Sequence, residues 1–235
     1  MVFGLVAASW AGLILLAAGP ADVAVPGPFD AGALLARTLT VGAMMLLIAL
    51  PAAEHVSRES LRRRRRAAVS LFLVAFVAVW VGCLTVVEVA LDGLLPSSPI
   101  AQTAAIAITC VAAAIWQMSP QRAMLSSRCA RASILPPTGS RAAVGDLRFG
   151  FRSGLGCFGS CWAVMLVMAL MPGSHLVIAA ILTGALTADR LVIRVRRRPG
   201  VIAVGLVGLG IATLASASSP TTTGFIAWIC SIPGR

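Results

Sequence analysis

Seven apolar runs at or near the roughly 20 residues needed to cross about 30 Å of hydrocarbon as a helix divide the chain: Val2–Gly19, Thr38–Ala53, Ala67–Val87, Ile100–Met118, Gly154–Met171, His175–Ala188 and Val201–Ala217. Inside a bilayer every backbone N–H and C=O must find its partner within the chain, so such runs fold as helices and not as open strands. The pattern predicts an all-α, polytopic transmembrane helical bundle of about seven helices, a single integral membrane domain over residues 1–235. Composition removes the soluble alternative, because 59% of the 235 residues are apolar and 11% charged, against about a quarter charged in ordinary soluble domains. A mean hydropathy of +0.95 leaves too little polar sequence to coat a water-soluble core. Val2–Gly19 also has the length of a leader, and Ala17-Ala18-Gly19 before Pro20 is small enough for cleavage. No basic residues precede it, so a retained first helix is expected.

Orientation follows from the charges. All 19 basic side chains are arginine, opposed by eight acids for a formal charge of +11. Glu54–Arg66 holds six of them (Arg58 and Arg62 through Arg66), Ser119–Ser153 six (Arg122, Arg128, Arg131, Arg141, Arg148 and Arg152) and Asp189–Gly200 five. These are alternate connections and carry 17 of the 19 arginines, whereas Arg37, Asp22, Asp30 and Asp92 fall on the other side. Cytoplasmic connections carry the arginine excess, so the N-terminus is expected inside, the C-terminus outside, and residues 119–153 in a cytoplasmic loop. Arginine blocks set between apolar runs suit anionic head groups, which makes the lipid bilayer the partner and excludes nucleic acid. The six cysteines accompany no disulfide-dense exterior segment and are expected as free thiols.

Two connections carry local signals. Pro172-Gly173-Ser174 predicts a tight hairpin between the fifth and sixth runs, and Pro136-Pro137-Thr138-Gly139 breaks any helix in the long loop. Gln121–Ala132 reads as a short amphipathic stretch on the membrane surface, and Gly224–Pro233 as an interfacial tail anchored by Trp228.

Sulfur is concentrated in the fifth run, in Cys157, Cys161, Met165, Met168 and Met171. At about 100° per residue these fall near 0°, 40°, 80°, 20° and −40°, one arc of about 120° on a helix. Gly150 and Gly154 extend the same face toward the arginine-rich side. Thiolate and thioether groups are the ligands a soft monovalent ion such as Cu(I) prefers, and cysteines four residues apart on a helix meet one ion from the same side. Small and sulfur-bearing residues also make good helix interfaces in lipid, so packing is the alternative reading of the same face.

Cys157-Phe158-Gly159-Ser160-Cys161-Trp162, with Met165 and Met168 after it, resembles the C-x-G-C-C-W-x-x-M signature of a bacterial family described as predicted metal-binding integral membrane proteins. Some of its members are regarded as copper chaperones that accompany copper oxidases such as tyrosinase. Ala43-Met44-Met45-Leu46 with Pro51 is similar to the family's A-M-M-L-P segment, Trp116-Gln117-Met118-Ser119-Pro120 to its Y-Q-L-T-P, and Asp189-Arg190 stands where Glu-Lys is usual. The likeness covers roughly Thr38 to Leu191, the family-like core 38–191. Ser160 replaces one cysteine of the signature, Leu125 the first cysteine of a C-L-x-x-C that keeps Cys129, Ser153 a frequent histidine, and Leu47 a proline.

The resemblance implies a multi-pass protein of the bacterial cytoplasmic (inner) membrane that serves as a Cu(I) chaperone or conduit for a copper enzyme outside. Cys129 would be the uptake thiol, Cys157 and Cys161 the main site, Met44, Met45, Met165, Met168 and Met171 the soft lining, and His175 an exit ligand. The rival class is a non-catalytic structural or accessory subunit of a membrane complex with a degenerate metal site. A third is a transporter relaying protons through Glu88, which lies near the outer end of the third run.

Other chemistry finds no support. His55 and His175 fall on opposite sides of the membrane in this topology, which excludes a shared haem. Gly205-Leu206-Val207-Gly208-Leu209-Gly210 lies inside an apolar run and reads as a packing surface, not a nucleotide loop. The chain presents no nucleophile–base pattern, and no enzymatic activity is expected. Cys83 and Cys110 read as packing residues in mid-helix, Trp80 lies too deep to be an interfacial anchor, and Arg62–Arg66 reads as a topology signal.

Overall fold

The computed structural model describes residues 1–17, 29–94, 99–129, 140–170, 180–181, 183–184, 186–187 and 200–218. Its regular elements are helices: α1 Val2–Ala17, α2 Ala31–Glu59, α3 Arg65–Leu94, α4 Pro99–Met118, α5 Pro120–Cys129, α6 Ser140–Leu170 and α7 Gly200–Ser218. Among the described residues four stretches are long and apolar enough to cross a membrane: Ala31–Glu59, Arg65–Leu91, Ala101–Met118 and Arg141–Met168. The all-α class expected from the apolar runs is what the chain forms. The seven helices include α5, which matches the expected short stretch at Gln121–Ala132. Most of the sixth run, the Pro172–Ser174 turn, the Pro136–Gly139 breaker and the Gly224–Pro233 tail lie outside the described residues.

Apolar runs mark helix middles but not helix ends. α2 starts at Ala31, ahead of Thr38, and α6 starts at Ser140, well ahead of Gly154. Charge ends an apolar run, but a helix ends only when its hydrogen-bond ladder does, and Arg and Ala are among the best helix formers. The described residues of 119–153 are therefore helical apart from Ser119, in α5 and the first turns of α6. Pro51 lies within α2 without ending it; termination comes at Ser60, in extended conformation, whose N–H still bonds the Val56 carbonyl at 3.1 Å.

The chain divides into two compact units, one of Met1–Leu13, Pro26–Val86 and Ala123–Ser160, the other of Ile14–Val25, Val87–Arg122 and Cys161–Arg235. In the first, α1 runs antiparallel to α2, with Gly12 against Leu39 and Gly42 against Ser9. α3 and α6 are parallel, because Gly150 meets Phe72 and Ala75, Gly154 meets Phe76 and Val79, and Phe158 meets Trp80, each pair further along both helices. A Cβ on Gly150 would overlap the Phe72 carbonyl oxygen, so the two backbones touch there and only glycine fits. Phe72, Phe76 and Trp80 are fully buried beside this seam.

In the second unit α4 packs on α7, where Gly210 lies against Cys110 and Ala107. Cys110 and Gly210 are thus interface residues, whereas Gly205 and Gly208 of the same glycine run meet no neighbour, so only the end of the run serves as the packing surface expected of it. Trp116 of α4 packs edge-on against Trp162 of α6 at 5.6 Å between ring centres.

Candidate metal site

One uninterrupted helix, α6, carries Cys157, Cys161, Met165 and Met168, so the angular spacing of these four is realised as read from the sequence. Cys157, Cys161 and Met165 are buried and Met168 is half-buried. Met44 and Met45 are fully buried in α2. Cys129 is the last residue of α5, one helical turn beyond Leu125. Met171 and His175 lie outside the described residues. Cys83, Cys110, Cys157 and Cys161 form no disulfide. Among the described residues no three His, Cys, Asp or Glu side chains form a ready-made metal cluster. On α6, Cys157, Cys161, Met165 and Met168 share one arc of the helix.

The substituted positions have packing roles. The Ser160 hydroxyl is fully buried and donates to the Cys157 carbonyl oxygen at 2.9 Å. That bond satisfies the hydroxyl on its own helix. Leu125 of α5 lies against Gly159, where an added Cβ would come within 3.0 Å of its Cδ1. Gly159 is about 200° round α6 from Cys157, so this contact is on the back of the sulfur track. Ser153 is buried one turn before Cys157.

The structure also shows two polar anchors that sequence reasoning misses. Arg64, in the turn before α3, pairs with Asp146 of α6, whose carboxylate is buried. Arg64 belongs to the run that reads as a topology signal, yet it is the counter-ion of a buried acid. One Asp146 oxygen takes that ion pair and the other has no protein partner. Next to this pair, Phe149 packs against Phe72 at 5.5 Å and against His55 at 5.8 Å. The start of α3 and the first turns of α6 thus meet at one end of the first unit. Arg37 lies inside α2, buried, and donates to the Thr85 hydroxyl at 3.3 Å. Hydropathy places it at the mouth of a shorter helix, and the earlier start of α2 puts it two turns in. No local signal in the sequence links Arg64 to Asp146, since 82 residues separate them.

Neither a curated protein nor a solved structure matches the chain. Residues 34–213 match the family described as PpoB2, copper chaperone. That span is well over half of the chain and runs from the start of α2 through most of α7, with the sulfur-bearing helix inside it. The chain is accordingly a member of the PpoB2 family of copper chaperones.

Proposed function

We propose that the protein is a membrane-embedded, non-catalytic carrier that takes up Cu(I) on the arginine-rich side and passes it to a copper enzyme or assembly partner on the other. The observation that carries this reading is the buried sulfur face of α6, with Cys157, Cys161 and Met165 on one arc and Met168 continuing it. Sulfur ligands suit Cu(I), and handing an ion between neighbouring weak sites needs no nucleotide. Cys129 supplies the uptake thiol, Met44 and Met45 add soft lining from α2, and Met171 and His175 extend the track toward release.

Two observations support the embedding and the orientation. Four helices have the length and apolarity of membrane spans. The Arg64–Asp146 pair brings the start of α3 and the first turns of α6 to one level, so two arginine blocks share a side, as cytoplasmic blocks must. The inner membrane of a bacterium, with the N-terminus inside, is the location that fits.

A structural accessory subunit is the second reading, favoured by the Ser160 hydroxyl bonded to its own helix and by the close glycine seam with α3. Metal analysis of the protein purified under reducing conditions separates the two. A carrier retains Cu(I), and Cys157→Ser with Cys161→Ser releases it at unchanged yield. Equal copper in wild type and double variant would leave only the structural role.

A further inference from the structure

Cys157 and Cys161 stand one turn apart on the uninterrupted helix α6, where side chains four residues apart have Cβ atoms about 5–6 Å from each other. One soft ion can join two sulfurs across such a gap. Ser160 lies between the two thiols in the chain and is fully buried. Its hydroxyl donates to the Cys157 carbonyl oxygen at 2.9 Å, so the oxygen is held against the backbone of its own helix.

The donors one turn further along α6 in either direction are of two kinds. Ser153, buried one turn before Cys157, carries a hydroxyl, and Met165, buried one turn beyond Cys161, a thioether. Zn(II) takes thiolate, imidazole and carboxylate ligands, almost always four of them, and neither hydroxyl nor thioether belongs to that set. Cu(I) accepts thioether as well as thiolate. The harder groups on or beside α6 are engaged elsewhere: Asp146, about three turns before Cys157, is paired with Arg64, and His55 packs on Phe149, about two turns before Cys157. Among the described residues no three His, Cys, Asp or Glu side chains come together. On this stretch of α6 an ion that needs four thiolate, imidazole or carboxylate ligands finds two, whereas a soft monovalent ion finds two thiols and a thioether.

We infer that the main site is selective for Cu(I) against Zn(II), and that Ser160 is the specificity-determining residue, because it places a hydroxyl bound to its own helix where a third thiol would admit the harder ion. This inference rests on the copper reading above and adds what the site refuses. On loading, each thiol gives its proton to solvent and the ion links the two thiolates, with Met165 as the soft neighbour. Ser160 is no ligand; it acts by keeping the donor set at two thiols.

The test uses the full chain in detergent under reducing conditions, equilibrated with Cu(I) or with Zn(II) and then challenged with a chelator for that ion. The unmodified protein should retain Cu(I) and give up Zn(II), a readout that depends on no variant folding. Ser160→Ala, which loses the hydroxyl and adds no donor, should keep that selectivity. Ser160→Cys, close to wild type in size, should hold Zn(II) against the chelator and tighten Cu(I) by no less than the roughly tenfold that a single outer partner contributes. Cys110→Ser, at the α4–α7 interface, should change nothing. Variants are compared per folded molecule. Retention of Zn(II) beside Cu(I) by the unmodified protein, loss of Cu(I) from Ser160→Ala, or a Ser160→Cys that matches wild type toward both ions would each overturn the inference and leave the carrier function standing. If the unmodified protein retains neither ion, the carrier function fails and the inference with it.

Discussion

From Ser140 to Gly154, α6 is held by groups that tolerate little change of size or charge, whereas from Cys157 to Met168 its buried face is lined by sulfur, which adapts to many packings. The first half has an ion pair from Asp146 to Arg64, Phe149 between Phe72 and His55, and two glycines pressed against α3. The second has thiols and flexible thioethers, which fill space as well as leucine does but also bind soft cations. The difference teaches where to look for each kind of failure. Changes in the first half should destabilise the fold, and conservative changes in the second should spare the fold and reach the cargo.

The contrast breaks most visibly at Arg64. Arg64→Ala leaves the buried Asp146 carboxylate without its counter-ion, and loss of one partner from such a pair costs about 3–5 kcal/mol. Because Arg64 keeps some solvent exposure, the lower end of that range is expected. Thermal unfolding in detergent should show the loss, and adding Asp146→Asn should recover most of it. Full stability in Arg64→Ala alone would mean that the pair does not hold α6.

Gly150→Ala comes next. The new methyl must push the Phe72 backbone away, which overpacking data put at about 1–3 kcal/mol, whereas alanine is a better helix former by only about 1 kcal/mol. A net fall in midpoint temperature is expected, with copper content per folded molecule unchanged. If copper is lost at full stability, the division between the two halves of α6 is wrong.

Topology gives a smaller effect to read but a sharp one. Reporters inserted after Arg66 and within residues 136–140 should report the same, cytoplasmic side, with no effect on folding, since the Arg64–Asp146 pair joins the start of α3 to the first turns of α6. Opposite sides would separate helices that the ion pair joins.

The apolar middles of α2, α3, α4 and α6 are legible in the amino-acid sequence, because hydropathy is a property of local sequence. The sulfur arc is legible too, since helical period alone fixes it. Helix ends are not: the ladder of α6 continues through Arg141, Asp146, Arg148 and Arg152, where the apolar signal has stopped. The Arg64–Asp146 pair depends on how two distant helices pack, and nothing near either residue encodes that. Gly150 and Gly154 are the available clue, as small residues four apart mark a close helix contact, but they do not name the partner helix.

The central claim, that the sulfur face of α6 handles an ion and does not merely fill space, is tested most directly by Met165→Leu with Met168→Leu. The swap keeps volume and apolarity and should cost under about 1.5 kcal/mol in packing, yet it removes two soft ligands. At matched protein levels, the measurement is transfer of Cu(I) from the purified carrier to an external Cu(I) acceptor. The account predicts normal accumulation and slowed transfer; unchanged transfer by the leucine pair would contradict it and leave the face a packing surface.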